Sequence, residues 1–473
     1  MKYLNILLAV MFFVSCNDTA LLENDPLLKD YPAETSDATI ITAKKAAEVA
    51  EIFFRRQDGN SNMKSSTGAV KKNATVATIK DGETPAMYVL NYPEGGFAVI
   101  GASKDYYPVL AFSEENSFVI SEDMGPVQVW LDETKEAIRM SDAMDEETKR
   151  SIKVQWLNYE TMELKKTSGS LLKSTSPQDA MNERINELYD EYASDGWTIF
   201  IPLSETFYIM GSVWYYLMNM AYSFNSDPDY TIVALRQYNY SSSVGPLCAT
   251  AWHQYSPFND LVPNNHPAGC AAIAMGQIMK KWEYPNTTFN WNGYSFNWST
   301  IPNNTGTNTD HRYFIRLIGS AVNMTYMSTG SWTVMANVVG GFQFFGYNVS
   351  RVNHNASGVG QQIKNYQRPV LMQGFPWYGI DGHYWVCDGS SDSQWSLYCF
   401  IEFIKDRGTW YTYHTYDFTS PESPSFLDGN SSSYFHMNWG WQNGKNNGWY
   451  IPNYATPDGN NFTYYRENLY VFP

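Results

Sequence analysis

The spacing of apolar residues changes period along the chain. Across 42–56, Ala46, Val49, Ala50, Phe53 and Phe54 recur on one helical face, and Thr42 is placed to cap it. That spacing predicts an amphipathic helix. The period then shortens. Met87–Tyr92 and Phe97–Gly101 flank the turn Pro93-Glu94-Gly95-Gly96, and Val109–Ser113 supplies a third strand. Pro126 to Ser141 predicts a second helix, with proline in its first turn. Residues 40–165 therefore read as one small α+β domain, and it contains no His and no Cys.

Residues 166–235 read as a junction. Lys165, Lys166 and Lys173 stand among Ser, Thr and Gly, where a chain is exposed and easily cut. An acid-rich helical pattern (179–192) and an aromatic stretch (214–224) follow. Beyond 236, Cys270 to Trp282 has no proline and no charge before Lys280, so it predicts a buried helix. Arg368–Gly374 and His383–Gly389, separated by turn residues, predict a hairpin. Tyr434–Trp441 and Trp449–Pro452, with Gly444 and Gly448 between them, predict an aromatic hairpin.

Composition narrows the picture. At 473 residues the chain has room for two or three domains, and its 16% aromatic content permits a large core. A net charge of -16 argues against a nucleic-acid partner. Lys2 and the short apolar run Ile6–Val14 fit a signal peptide over 1–15 rather than a membrane span. Ser15-Cys16 directly after that run fits a lipoprotein cleavage site. Cys16 would then carry a lipid anchor to a bacterial membrane, with 16–39 as a polar tether; an ordinary signal peptide is the alternative. The remaining cysteines (248, 270, 387 and 399) are too few for a disulfide framework, and Cys387 reads as a buried small residue.

All seven histidines lie beyond 236, so the C-terminal part carries the candidate chemistry. Cys270 opens its helix, where orphan N–H groups and the helix dipole favour thiolate. Gln254 could donate to an oxyanion without pairing with a thiolate, although a lone loop glutamine is ordinarily incidental. His383, at a predicted strand start beside Gly382, is the best candidate base; an isolated histidine there is ordinarily structural. Asn438, followed by Trp439 and Trp441, suits a residue that orients an imidazole while apolar rings exclude water. The plain alternative is an aromatic hairpin. His383 and His436 have no Cys or His at metal-site spacing, so neither metal nor cofactor is expected.

Cys270 with its flanks, Trp252-x-Gln254-x-x-Pro257-Phe258-Asn259, Gly382-His383 and Asn438-Trp439-Gly440-Trp441 occur in the order found in streptopain-like cysteine peptidases. Gln277–Lys280 and Tyr284-Pro285 are similar as well, and 93–100 with 107–112 resemble that family's inhibitory pro-domain. The resemblance runs over about 40–473. It implies an α+β fold: a papain-like two-lobed catalytic domain over 236–473, with a helical lobe and an antiparallel sheet lobe, preceded by an α+β pro-domain over 40–165. It implies a secreted or surface-anchored endopeptidase zymogen whose partners are protein or peptide substrates and its own pro-domain. Cys270 and His383 form the implied dyad, and Gln254 with the Cys270 N–H the oxyanion hole. Asn438 and Trp439 hold and shield the imidazole, with Trp441 in the same wall. Ser331 and Gly382 align with substrate-backbone contacts. Gln373 is the fallback for the Gln254 role.

Two departures stand out. Residues 390–433, with Cys399 and His414, are an insertion after the histidine strand, expected to overhang the cleft, alter specificity or act as a lid. The junction is also long, with Lys165–Lys173 and the vicinity of Arg236 as candidate maturation sites. A catalytically dead surface lipoprotein, binding glycan or protein through exposed aromatics, is the competing reading. The presence of Cys270, His383 and Gln254 together favours the enzyme.

Overall fold

A computed structural model of the chain describes residues 39–58, 73–121, 124–145, 148–149, 152, 155–156, 159, 197–200, 230–286, 289–291, 294–303, 308–375, 382–405, 409–417, 432–441, 444–452 and 466–473. The expected signal peptide and tether, Cys16 included, lie outside the described residues except for Thr39. So do most of the junction and the centre of the insertion.

The N-terminal domain follows its pattern. Helix α1 (Ala43–Asp58) precedes strands β1 (Thr75–Asp81), β2 (Thr84–Asn91), β3 (Phe97–Gly101) and β4 (Val109–Ser113), and then helix α2 (Val127–Arg139). The four strands form an antiparallel meander in chain order. β3 and β4 are apolar at nearly every position because both of their faces are covered, and all their residues are buried. From α1, Phe53 packs edge-on against Phe112 and Phe54 against Tyr92. Pro126 precedes α2, where its missing N–H is no loss.

Further elements in order are β5 (Trp197–Phe200), β6 (Tyr230–Val244), α3 (Cys270–Trp282), β7 (Phe289–Trp291), β8 (Tyr294–Phe296), α4 (Thr309–Ala321), α5 (Met335–Phe344) and β9 (Asn348–Asn353). Then come α6 (Ala356–Tyr366), β10 (Val370–Gly374), β11 (His383–Lys405), β12 (Thr409–Asp417), β13 (Ser432–Asn438), β14 (Gly448–Tyr450) and β15 (Glu467–Phe472). Asn308 and Asn355 cap α4 and α6, their side chains accepting from the N–H groups of His311 and Gly358.

Strand alternation sorts this part into two cores. Val370 and Met372 of β10, with Trp385 and Cys387 of β11, face one core. Leu371, Tyr384, Val386, Leu469 and Val471 face the other, against α3, α4 and α5. Helix α3 is buried from Ala271 to Met279, as its uncharged sequence predicts. The chain is thus α+β, with a helical half, an antiparallel sheet half and an N-terminal α+β domain.

The N-terminal domain is not a separate layer. The principal sheet runs β1-β2-β3-β4-β14-β13-β11-β10-β15-β9, so the meander continues into the C-terminal sheet through β4 and β14. Phe112 pairs with Trp449 and Ala111 with Tyr450. Asn446, at φ 66, extends the joint: its N–H donates to the Ser117 carbonyl, and its side chain exchanges hydrogen bonds with Val119 N–H and carbonyl. Behind it, Glu133 of α2 forms a buried ion pair with Arg466.

The described part of the insertion is not a loop. β11 continues past Gly389 to Lys405, pairing with β6 from Ser390 to Ile404 and with β12 from Tyr398 to Lys405. This carries it away from His383 along the strand. Arg236 lies within β6, paired with Trp197 on one side and Tyr398 on the other.

Candidate active site

Cys270 is the first residue of α3, and Gly269 before it turns the chain at φ 93, ψ 130. Glycine is needed there for two reasons. The left-handed φ strains other residues, and a Cβ would also require the Met324 thioether end, 2.6 Å away at Cε, to shift. Burial pushes the Cys270 thiol above its ordinary value, while the backbone N–H groups of Tyr384, Ala271 and Cys270 itself pull it back down. The helix-terminus effect expected from the sequence is present, but desolvation outweighs it.

The Tyr384 contact brings the strand to the nucleophile. His383 opens β11, paired with Gly374, and the next backbone N–H reaches the Cys270 sulfur. The hydroxyl of Tyr384, buried beneath, donates to the Thr333 carbonyl at 3.3 Å. Gly382, immediately before, packs against the Phe375 ring so closely that a Cβ would fall 2.3 Å from it.

Gln254 is 6% exposed, and its carbonyl accepts from Ala268 N–H at 2.8 Å, which ties it beside the Gly269–Cys270 step. Its side-chain amide makes no hydrogen bond to any described residue. Asn259 secures the same loop by donating to the carbonyls of Asn265 and His266 at 2.7 and 3.1 Å. Trp252 and Phe258 anchor it from below against the buried ring of His311. Ser331 donates to the Pro267 carbonyl at 2.6 Å, on the other side of the same approach. Gln373 is buried in β10, opposite Tyr384 and Glu467.

Asn438, the last residue of β13, is 1% exposed and pairs with Val386. Its amide nitrogen donates to the Thr250 carbonyl at 2.7 Å, and its oxygen accepts from Gly440 N–H at 3.3 Å. Neither bond runs to His383. Trp439 packs at a tilt against Trp385, two residues beyond His383, with ring centroids 5.5 Å apart, and meets Tyr450 edge-on. Trp441 bridges the site and the N-terminal domain: its ring meets Tyr255, next to Gln254, and packs against Gly125. Val129 of α2 lies against Gly374, the strand partner of His383. The start of α2 therefore overlies this wall.

Three contributors escaped the sequence reading. Thr250 and Gln277 are linked by a 3.0 Å hydrogen bond between buried side chains, each in an otherwise apolar stretch. Asp388 is wholly buried; it accepts from Cys248 N–H at 2.9 Å and pairs with His436 Nδ1 at 2.7 Å. That pair fixes the start of the 245–254 segment and explains His436 without chemistry. Their one sequence signal is polarity inside apolar runs, which does not reveal a partner.

Residues 38–138 match the family described as Spi protease inhibitor, and residues 252–450 that described as Peptidase C10 family. The chain is 29% identical over 194 residues to the thiol protease/hemagglutinin PrtT of Porphyromonas gingivalis, covering 31% of this chain and 22% of that protein. The match thus spans about a fifth of that relative's length. Among solved structures, a prointerpain A fragment from Prevotella intermedia is similar at a TM-score of 0.43 and 16% identity, over 85% of this chain and 100% of the fragment.

Proposed function

Since the chain belongs to the peptidase C10 (streptopain) family and carries an Spi-type inhibitor domain ahead of its peptidase domain, we propose that it is a cysteine endopeptidase made as an inactive zymogen. The observation that carries this reading is the convergence at Cys270. A thiol at a helix head meets the first residues of the His383 strand and stands beside Gln254, whose amide is unengaged.

In the processed enzyme, His383 takes the Cys270 proton and the thiolate attacks the scissile carbonyl. The tetrahedral oxyanion is held by the Cys270 N–H and the Gln254 amide, which carries no charge that would compete for the thiolate. His383 then protonates the leaving amine, and water releases the acyl group. Ser331 and Gly382 line the substrate backbone, while Trp439 and Trp441 keep water from the histidine side. The substrates are proteins or peptides, and the chain's own pro-domain is the inhibitor. Ser15-Cys16 after the N-terminal apolar run supports export with Cys16 as the lipid-bearing residue. The dead-scaffold alternative is disfavoured, because the sequence retains Cys270, His383 and Gln254 together.

An epoxysuccinyl thiol label tests the assignment. The processed protein should take up one equivalent and lose peptidase activity with it, and Cys270→Ala should take up none. Undiminished labelling of Cys270→Ala, or no labelling of processed parent protein, overturns the reading.

A further inference from the structure

We propose that Asn438, Thr250 and Gln277 are positioning residues for the oxyanion donor, holding the segment that carries Gln254 rather than the imidazole of His383. The inference rests on the peptidase reading above. Both ends of the Asn438 amide are engaged away from the imidazole: the nitrogen with the Thr250 carbonyl at 2.7 Å, the oxygen with Gly440 N–H at 3.3 Å. Its cross-strand neighbour, Val386, stands three residues along β11 from His383, about 10 Å at the usual strand rise. Val386 faces the core built around α3.

Thr250 is the node. Its carbonyl is held by Asn438 of the sheet, and its hydroxyl donates at 3.0 Å to Gln277 Oε1. Gln277 lies on the nucleophile helix, about two turns beyond Cys270. Thr250 is therefore clamped between the sheet and the helix whose first residue is the nucleophile. From there the chain runs to Gln254 over further backbone supports. Ala251 N–H donates to Asn303 at 3.0 Å, Trp252 Nε1 to Pro302 at 3.1 Å, and Ala268 N–H to Gln254 itself at 2.8 Å.

An oxyanion donor works by being in place before charge develops, and the Gln254 side chain has no hydrogen bond to a described residue that could place it. Its aim is set by the backbone that carries it. Gln277 supplies the second observation. It is 0% exposed, and its Nε2 has no hydrogen-bond partner among the described residues. Burying an amide with one end unpaired costs free energy that a leucine of similar size would not. A residue with the other end on Thr250 is explained by that bond.

The test uses processed enzyme in which parent activity and Cys270 labelling have first been established; absence of either is a failure of the peptidase reading, not of this one. Three single variants (Asn438→Ala, Thr250→Val and Gln254→Ala) and the double Gln254→Ala/Asn438→Ala are compared by peptide hydrolysis and by the pH profile of Cys270 alkylation with iodoacetamide. Asn438→Ala and Thr250→Val should lower kcat by about 10-fold or more with KM little changed. The alkylation profile should stay that of the parent, because the thiolate–imidazole pair is untouched. The double variant should be no worse than Gln254→Ala. If Asn438→Ala fails to fold, Thr250→Val carries the same comparison, paired with Gln254→Ala in its place. A shifted alkylation profile in folded variants, losses that multiply in the double, or unchanged kcat overturns the proposal.

Discussion

Desolvation and the helix end act in opposite directions on Cys270, and desolvation wins in the uncut chain. A thiol pushed above its ordinary value by burial keeps its proton to higher pH, so the protonated form dominates at neutral pH. In the uncut chain, peptide-mapped alkylation of Cys270 should be slow at neutral pH and climb through pH 9 and beyond. The sign carries over to stability. The folded state holds the proton where the unfolded chain, near 8.5, has released it, so this thiol makes the precursor less stable as pH rises past that value. A rate already level at pH 7 would show a thiolate formed before processing. At this scale the sequence was legible in position but not in sign. A cysteine at the head of an uncharged helix can be read from local spacing. Its opposing influences are set by the fold: the Tyr384 N–H that reaches the sulfur comes from a strand more than a hundred positions away in the chain. Asn438 shows the same limit: its place beside Trp439 is in the sequence, but its bond to Thr250 is made only by the fold.

Among elements, α2 bears most on inhibition. Val129 lies against Gly374 beside His383, Gly125 against Trp441, and Glu133 pairs with Arg466 in a buried site. Glu133 is 8% and Arg466 6% exposed, so removing one charge leaves the other buried without its counter-charge. Breaking such a pair typically costs about 3–5 kcal/mol. Glu133→Ala should therefore lower the melting temperature of the precursor and raise its basal peptidase activity, while the processed enzyme made from it keeps parental kcat. A precursor with parental melting and no basal activity would show that α2 is held elsewhere. The helices and strands that sequence spacing predicts (α1, α2, α3, β2, β3, β4, and the β10–β11 and β13–β14 hairpins) have long apolar runs or clear turn residues. Two of those it missed have neither. β1 and β9 are short and partly exposed, with burial that does not alternate cleanly. Helices α4 and α6 take their start from Asn308 and Asn355, amid polar sequence that reads as loop, whereas α5 follows the extended Val334 and is apolar but interrupted by Gly340-Gly341. The first part of the insertion continues the histidine strand through Lys405, and the centre of the insertion lies outside the described residues.

For the whole molecule, the decisive feature is the joint between β4 and β14. One core takes in Phe97, Phe112 and Trp130 from the N-terminal domain together with Trp385, Trp439, Trp441 and Tyr450 from the C-terminal part. The N-terminal domain shares both a sheet and a core with the C-terminal part. Cutting the connecting chain removes none of those contacts, so cleavage alone should leave the N-terminal domain in place. Arg236 is an unsuitable cut point, since its backbone is paired on both sides within β6, and proteases need a segment they can draw out of its pairing. The remaining sequence candidate, Lys165–Lys173, lies outside the described residues. Mature protein should therefore begin upstream of Tyr230. Immediately after cleavage, the N-terminal fragment should co-elute with the peptidase on size exclusion, and activity should lag behind cleavage until that fragment is degraded or stripped by mild denaturant. N-terminal sequencing, gel filtration and a peptidase assay on the same time course check all three. A mature N-terminus within 230–244, or activity rising in step with the first cut while the fragment elutes separately, would show that the sheet joint is too weak to hold the zymogen closed.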